Sequence, residues 1–200
     1  MSSTEYQVDR RELHFVVNET LQAGKLCEFP DFAEFDEEMF TMIINEASTF
    51  AEQVLAPLNV NGDRQGCRIE NGAVVTPDGF TDAWKQLGEG GWLSMSLPPE
   101  FGGQGIPEVI AVIGKETQLA ANQGFTIGAS LTTGAANLIY TFGSDLQKNE
   151  FCQNMFSGKW AGTMCLTEPH AGSAVGDVIT SAARQEEGHY LIKGTKQFIT

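Results

Sequence analysis

The sequence is poor in cations. Twelve Lys and Arg face 26 Asp and Glu, a formal charge of −14 over 200 residues. Nucleic-acid binding draws on Lys and Arg that displace counterions from phosphates, and anionic membrane surfaces recruit clustered basic residues. Both partner classes are disfavoured, and the acid surplus reads as a means of staying soluble. Cysteine is also sparse. Cys27, Cys67, Cys152 and Cys165 are scattered, with no C-x-x-C pair and no His at zinc-ligand spacing. That pattern reads as reduced intracellular thiols. None has an activating base near it in sequence that would make it a nucleophile.

Long apolar runs are missing. No stretch approaches the ~20 residues of a membrane-spanning helix. Met1–Glu12 has neither an apolar leader region nor an Arg-rich amphipathic pattern. A cytoplasmic location is the simplest expectation; a mature organellar protein without its leader has the same profile. Phosphate-binding glycine motifs are missing too. There is no Walker A pattern, and Gly102-Gly103-Gln104-Gly105 lacks a preceding strand, lacks the G-x-G-x-x-G spacing and runs into Pro107. A nucleotide bound here is held in neither the Rossmann nor the P-loop manner.

What is present is a globular composition, 42% hydrophobic and 19% charged, enough for a sizeable core in one large or two small domains. Helical patterns come first. Arg11–Ala23 predicts a helix. Asp36 opens a stronger one, with Glu37 and Glu38 in its first turn and Phe40, Ile43, Ala47, Phe50 and Val54 on one face. Pro57 is expected to end it, leaving a polar loop over Asn59–Gly79 with a short extended piece at Ala73–Thr76. Helices are expected over Asp82–Gly88 and Glu108–Ala121, separated by an irregular Gly/Pro-rich stretch from Gly90 to Pro107. Ile127–Phe142 reads as a buried, closely packed helix, and Ser144–Gln147 as a capping box opening a helix through Phe156. After Gly158 the period changes, and Trp160–Thr167, Val178–Arg184, Tyr190–Lys193 and Lys196–Ile199 read as short strands. Helices followed by strands, without alternation, predict an α+β arrangement. Trp84, Trp92 and Trp160 read as core and interface packing.

Two segments stand out. Cys165-Leu166-Thr167-Glu168-Pro169-His170-Ala171-Gly172-Ser173 is an apolar stretch that turns at Pro169 into a small-residue loop ending in a hydroxyl. Lys196-Gln197-Phe198-Ile199-Thr200 ends in an aromatic, a β-branched residue and a second hydroxyl. Free backbone N–H groups and hydroxyls of this kind can line an uncharged pocket edge that takes a ring and a phosphate. Gly172 admits a bulky ligand close to the backbone. Glu168 has no partner acid nearby and reads as solvated or salt-bridged rather than catalytic. His170 reads as a solvent-facing loop residue.

The first of these segments resembles the flavin signature of acyl-CoA dehydrogenases. Ser96–Pro107, Thr180-Ser181-Ala182 and Tyr190–Thr200 resemble further segments of that family in order and spacing. Arg11–Phe15, Val54–Asn59 and Gly62-Asp63 resemble its long form, which carries an N-terminal extension and includes enzymes acting on 3-methylmercaptopropionyl-CoA. The resemblance implies an extension over 1–35, a helical domain over 36–158 and the first strands of a β-barrel-like middle domain over 159–200. The family's C-terminal helical domain has no counterpart here.

What the resemblance implies chemically is FAD-dependent α,β-dehydrogenation of an acyl-CoA, with electrons passed to an electron-transfer flavoprotein by a homo-oligomer. Met164, Cys165, Leu166 and Thr167 would meet the flavin ring, and Gly172 and Ser173 its pyrophosphate. Ser173 would also touch the acyl-CoA. Phe198 would cover one face of the ring, with Ile199 and Thr200 near its reactive edge. Ala174 departs from the family's usual Asp, and Asp177 is the nearest substitute acceptor. No Glu of this chain inherits the role of base, so residues 1–200 alone are expected to be inactive, and poorly soluble through unpaired strand edges. A non-catalytic helical binding module is the alternative from another class. An acyl-CoA oxidase or flavin monooxygenase is the alternative on the same scaffold.

Overall fold

The computed structural model describes residues 6–200. The chain divides into two units, one running through Gly162 and the other spanning Thr163–Thr200. Residues 1–5 of the expected N-terminal extension lie outside the described residues. The fold is mostly helical with a few short strands, as the α+β expectation required.

Helix α1 (Arg10–Phe15) starts at Asp9, whose carboxylate accepts from the Glu12 N–H at 3.1 Å. It continues through a π-helical turn, Val16–Thr20, and stops where Gln22 turns left-handed at φ 51°. A 3-10 turn over Ala23–Glu28 follows, so the expected single helix over Arg11–Ala23 is interrupted before its end. The Arg10 guanidinium grips Glu52 through two bonds of 2.8 and 2.7 Å, and the Val8 N–H donates to the same carboxylate. This fork fastens the N-terminal segment to the next helix.

Helix α2 (Glu37–Phe50) is capped by Asp36, which accepts from the Met39 N–H at 2.7 Å. Pro57 does not end it. The helix passes through a π-helical turn at Ala51–Leu55 and resumes as α3 (Ala56–Gln65). A proline lacks an N–H, and its ring crowds the carbonyl four residues back. The wider turn relieves that conflict and leaves Pro57 in the first turn of α3, where the missing donor costs little. The first part of the expected loop Asn59–Gly79 is therefore helical. Its remainder holds a hairpin, β1 (Arg68–Glu70) paired antiparallel with β2 (Ala73–Val75). Asn71 and Gly72, at φ 51° and 80°, make a two-residue turn whose twist suits the strands.

Helix α4 (Phe80–Glu89) extends the expected Asp82–Gly88 at both ends, and α5 (Glu108–Ala121) has the expected bounds. The buried Phe40, Ile44 and Met95 pack with Ile106, Ile110 and Ala111 in one core cluster. Buried Asn122 then does two things. Its side-chain oxygen caps α6 (Gln123–Phe142) by accepting from the Phe125 N–H at 3.1 Å, and its amide donates to the Leu55 carbonyl at 3.1 Å. That cap starts α6 four residues before the expected Ile127. The helix buries one face, through Phe125, Ala129, Thr132 and Ala136, while Ile127, Leu138 and Phe142 are exposed. A Cβ at Gly128 or Gly134 would meet nothing, so α6 is not the closely packed helix the composition suggested.

The capping box at Ser144 forms as expected. It opens a continuous helical stretch: α7 (Asp145–Gln147), a π-helical turn over Lys148–Cys152, and α8 (Gln153–Phe156). The Trp84 indole donates to the Gly158 carbonyl at 2.7 Å, and the Trp92 ring stacks on Phe50. Trp160 packs on Phe151 but is 38% exposed, so it is less a core residue than the other two.

In the second unit, β3 (Ser181–Arg184) pairs antiparallel with β4 (Tyr190–Lys193). Tyr190–Lys193 is a strand as expected, and Val178–Arg184 is one only in its second half. Trp160–Thr167 and Lys196–Ile199 are not strands. A strand requires a ladder of backbone bonds, and among the described residues these two segments share a single one, from the Gln197 N–H to the Thr167 carbonyl at 3.1 Å.

Gly88 gives a direct check of helix packing. A Cβ there would stand 2.4 Å from the Ser157 carbonyl oxygen. Gly→Ala inside a helix gains about 1 kcal/mol in propensity, whereas overpacking costs about 1–3 kcal/mol. The obstacle is backbone, so overpacking wins. Gly88→Ala is expected to lower the thermal melting temperature; an unchanged or raised value would refute the close contact.

Candidate functional site

The second unit brings the two singled-out segments side by side. The Thr163 hydroxyl donates to the Thr200 carbonyl, and the Gln197 N–H to the Thr167 carbonyl. Met164, Cys165, Leu166, Phe198 and Ile199 are exposed, and Thr167 is half-buried. The Phe198 ring is 85% exposed, on a backbone held at φ 56°. That left-handed conformation is uncommon for a bulky residue.

Within the first of them the chain makes a tight turn. Glu168 and Ala171 exchange backbone bonds of 3.0 and 3.1 Å around Pro169 and His170. Gly172 and Ser173 follow, both exposed, and a Cβ at Gly172 would meet nothing. Among the described residues, the backbone N–H groups of Met164–Thr167, Gly172 and Ser173 donate to no protein acceptor. These donors and the two neighbouring hydroxyls make an uncharged, open surface suited to carbonyl and phosphate oxygens.

Glu168 is salt-bridged as expected, but it is not solvated. Its side chain is 1% exposed and collects hydrogen-bond donors from two stretches. The Lys196 ammonium donates to Oε1 at 2.8 Å, the Thr180 N–H to Oε1 and the Ile179 N–H to Oε2 at 3.0 Å each, and the Thr180 hydroxyl completes the set. The Lys196 bond first, then those from Thr180 and Ile179, outweigh burial and hold the carboxyl at about 2, against an ordinary 4.5. A carboxylate held this low is poorly suited to take a proton from a substrate. His170 is an exposed turn residue, as expected, and its Nε2 lies 3.2 Å from the Asp177 carbonyl and 3.5 Å from Glu168 Oε2.

The loop after Ser173 closes as a short turn over Val175–Asp177. Among the described residues the Asp177 carboxylate bonds to nothing in it, so Asp177 does not replace the acceptor that Ala174 lacks; its backbone carbonyl faces His170 instead. A cleft of about 700 Å³ opens elsewhere on the unit, lined by Glu168, Pro169, His170, Ile179, Ser181, Lys193, Gly194 and Thr195. None of the expected flavin-contacting residues lines it.

Sequence reasoning missed the part played by Lys196. Its ammonium bridges the Leu166 carbonyl, at 3.0 Å, and the Glu168 carboxylate. The signal was present: a lone acid in an otherwise uncharged segment needs a cation, and Lys196 is the cation of the second segment.

Residues 37–159 match the model described as acyl-CoA dehydrogenase, N-terminal domain, and the chain belongs to the acyl-CoA dehydrogenase family. Among individual relatives, it is 36% identical over 195 residues to the 3-methylmercaptopropionyl-CoA dehydrogenase of Ruegeria pomeroyi, covering 98% of this chain and 33% of that one. It is similar in structure to an acyl-CoA dehydrogenase complexed with FAD from Bacillus anthracis, with a TM-score of 0.66 at 27% identity, over 84% of this chain and 27% of that one. It also resembles a chain in the structure of the electron transferring flavoprotein of Acidaminococcus fermentans, with a TM-score of 0.69 at 26% identity, over 82% of this chain and 40% of that one. The chain spans about a third of the length of the curated relatives it matches. Among the described residues, no helix is long and apolar enough to cross a membrane.

The Glu168 network carries a pH signature. Its carboxyl is depressed in the folded state, so its stabilisation is complete above the ordinary 4.5 and is lost as pH falls through about 2. Lys196→Met removes the largest cause and is expected to move that loss upward, toward the ordinary value. Titrating the side-chain carboxyl by ¹³C NMR reads this; an unmoved midpoint would contradict the assigned partner.

Proposed function

We propose that this chain supplies one wall of an FAD site in an acyl-CoA dehydrogenase, and that the complete protein carries out FAD-dependent α,β-dehydrogenation of an acyl-CoA thioester. The observation that carries this is the pairing of the Met164–Thr167 and Gln197–Thr200 segments into one exposed edge of free N–H groups, hydroxyls and an outward aromatic ring. Family membership supports it, as does the FAD bound by the Bacillus anthracis relative.

In this reading Met164, Cys165, Leu166 and Thr167 present backbone and hydroxyl donors to the polar edge of the flavin ring. Gly172 and Ser173 offer N–H groups and a hydroxyl to the pyrophosphate, with Ser173 also near the acyl-CoA. Phe198 covers one face, and Ile199 and Thr200 stand near the reactive edge. FAD held by these residues would supply the acceptor for the β-hydride of an acyl-CoA. Donors fixed at the ring edge favour the negative charge that arrives with it. Glu168 is consumed by its own partners and is not the base that takes the α-proton; the family resemblance puts that base outside residues 1–200. The domains run 1–35, 36–158 and 159–200, and an electron-transfer flavoprotein is the electron acceptor.

The test uses the complete gene product. It is expected to take up FAD and to show bleaching of the bound flavin's visible absorbance when an acyl-CoA is added without oxygen. Ser173→Ala and Phe198→Ala are each expected to weaken FAD binding, while residues 1–200 alone show no thioester oxidation. Uptake of FAD with rapid peroxide release in air would favour the oxidase or monooxygenase alternative. Failure to bind any flavin would favour the non-catalytic module.

A further inference from the structure

We propose that Lys196 and Glu168 are a positioning pair that fixes the register between the two flavin-contacting segments, and so sets where Phe198 and Thr200 stand relative to Thr167. This rests on the flavin reading above and adds a role for two residues outside its contact set.

The geometry has three parts. Glu168 anchors the first segment from below: its backbone closes the tight turn with Ala171, and its carboxylate is immobilised by the Ile179 and Thr180 N–H groups. Lys196 spans the gap between segments, bonding the carbonyl of Leu166 and the side chain of Glu168, the two neighbours of Thr167. Immediately beyond Lys196, Gln197 makes the one backbone bond to Thr167, and Phe198 then turns left-handed and sends its ring into solvent.

Register between adjacent extended segments is ordinarily specified by a ladder of backbone bonds and by a buried apolar face. Among the described residues the segments share one backbone bond and one from the Thr163 hydroxyl to the Thr200 carbonyl, and Leu166, Phe198 and Ile199 are exposed, so neither a full ladder nor a buried face sets the register within residues 163–200. A slip of one residue would carry Phe198 along by about 3.3 Å, far beyond the ~1 Å at which misplacement costs about a hundredfold in rate. A charge pair with both partners pinned at their far ends supplies the missing specification. A lysine bonded to one carboxylate oxygen and one carbonyl has a single arrangement that satisfies both.

The experiment again uses the complete gene product, with FAD affinity, the visible circular dichroism of bound flavin and the melting temperature of the apo-protein read together. Lys196→Met is expected to weaken FAD binding at least tenfold and to change the flavin dichroism, while Lys196→Arg, which keeps the charge and reach, restores both substantially. The double variant Lys196→Met/Glu168→Gln leaves no uncompensated carboxylate. It serves where the single variant does not fold, and is expected to show the same flavin defects with a near-native melting temperature. Variants that melt lower but hold FAD with wild-type affinity and dichroism would make the pair structural only and overturn the proposal. So would a double variant unable to fold. A wild-type protein that binds no FAD fails the flavin reading itself, and is recognised before any variant is made.

Discussion

A carboxylate taken out of water must be met by partners on every side. Within residues 163–200 this requirement draws the segments together. Of the residues from Thr163 to Thr200, Glu168 and Ala171 are the buried ones, and every position of β3 and β4 is exposed. Apolar burial, which ordinarily decides how chain segments assemble, has little to act on. Glu168 instead gathers the turn at Pro169, the approach to β3 and the stretch beyond β4 that holds Lys196 around a single charge. Desolvation opposes this arrangement, and the four donors overcome it. A unit framed this way is most sensitive to a change that leaves the carboxylate without its cation.

The helical unit is organised on the opposite principle. Phe40, Ile44, Ile110 and Ala111 make an apolar core of ordinary kind, and polar groups settle its details. Asn122 reaches from the head of α6 to the Leu55 carbonyl at the end of a π-helical turn, where regular helical bonding is interrupted. Pro57 and Asn122 are thus linked: the proline forces the irregular turn, and the amide occupies one of the acceptors there.

Legibility followed the same division. Local signals were readable: the bounds of α5, the capping box at Ser144, the strand at Tyr190–Lys193 and the irregular Gly/Pro stretch each depend on near neighbours. Pro57 misled because helix termination was inferred from one residue, while the π-helical turn that absorbs it depends on packing around Leu55. The Asn71-Gly72 hairpin was readable and was passed over, since its flanking strands are short and exposed. Trp160–Thr167 and Lys196–Ile199 have strand-like composition without the ladder that makes a strand. The signature segment was legible as a motif. Its dependence on Lys196 was not, because a contact across 28 residues of sequence has no local period.

Phe198 shows what such a frame can achieve. A left-handed backbone costs a bulky residue about 1–2 kcal/mol, and here it is held before any ligand arrives. The ring is already presented, so a planar ligand that stacks on it need not order that torsion as it binds, and the entropy of doing so has been spent in folding. Glycine at this position would relieve the strain and lose more than the ring. It would return to the chain the freedom to point elsewhere, and binding would then have to restrain it anew.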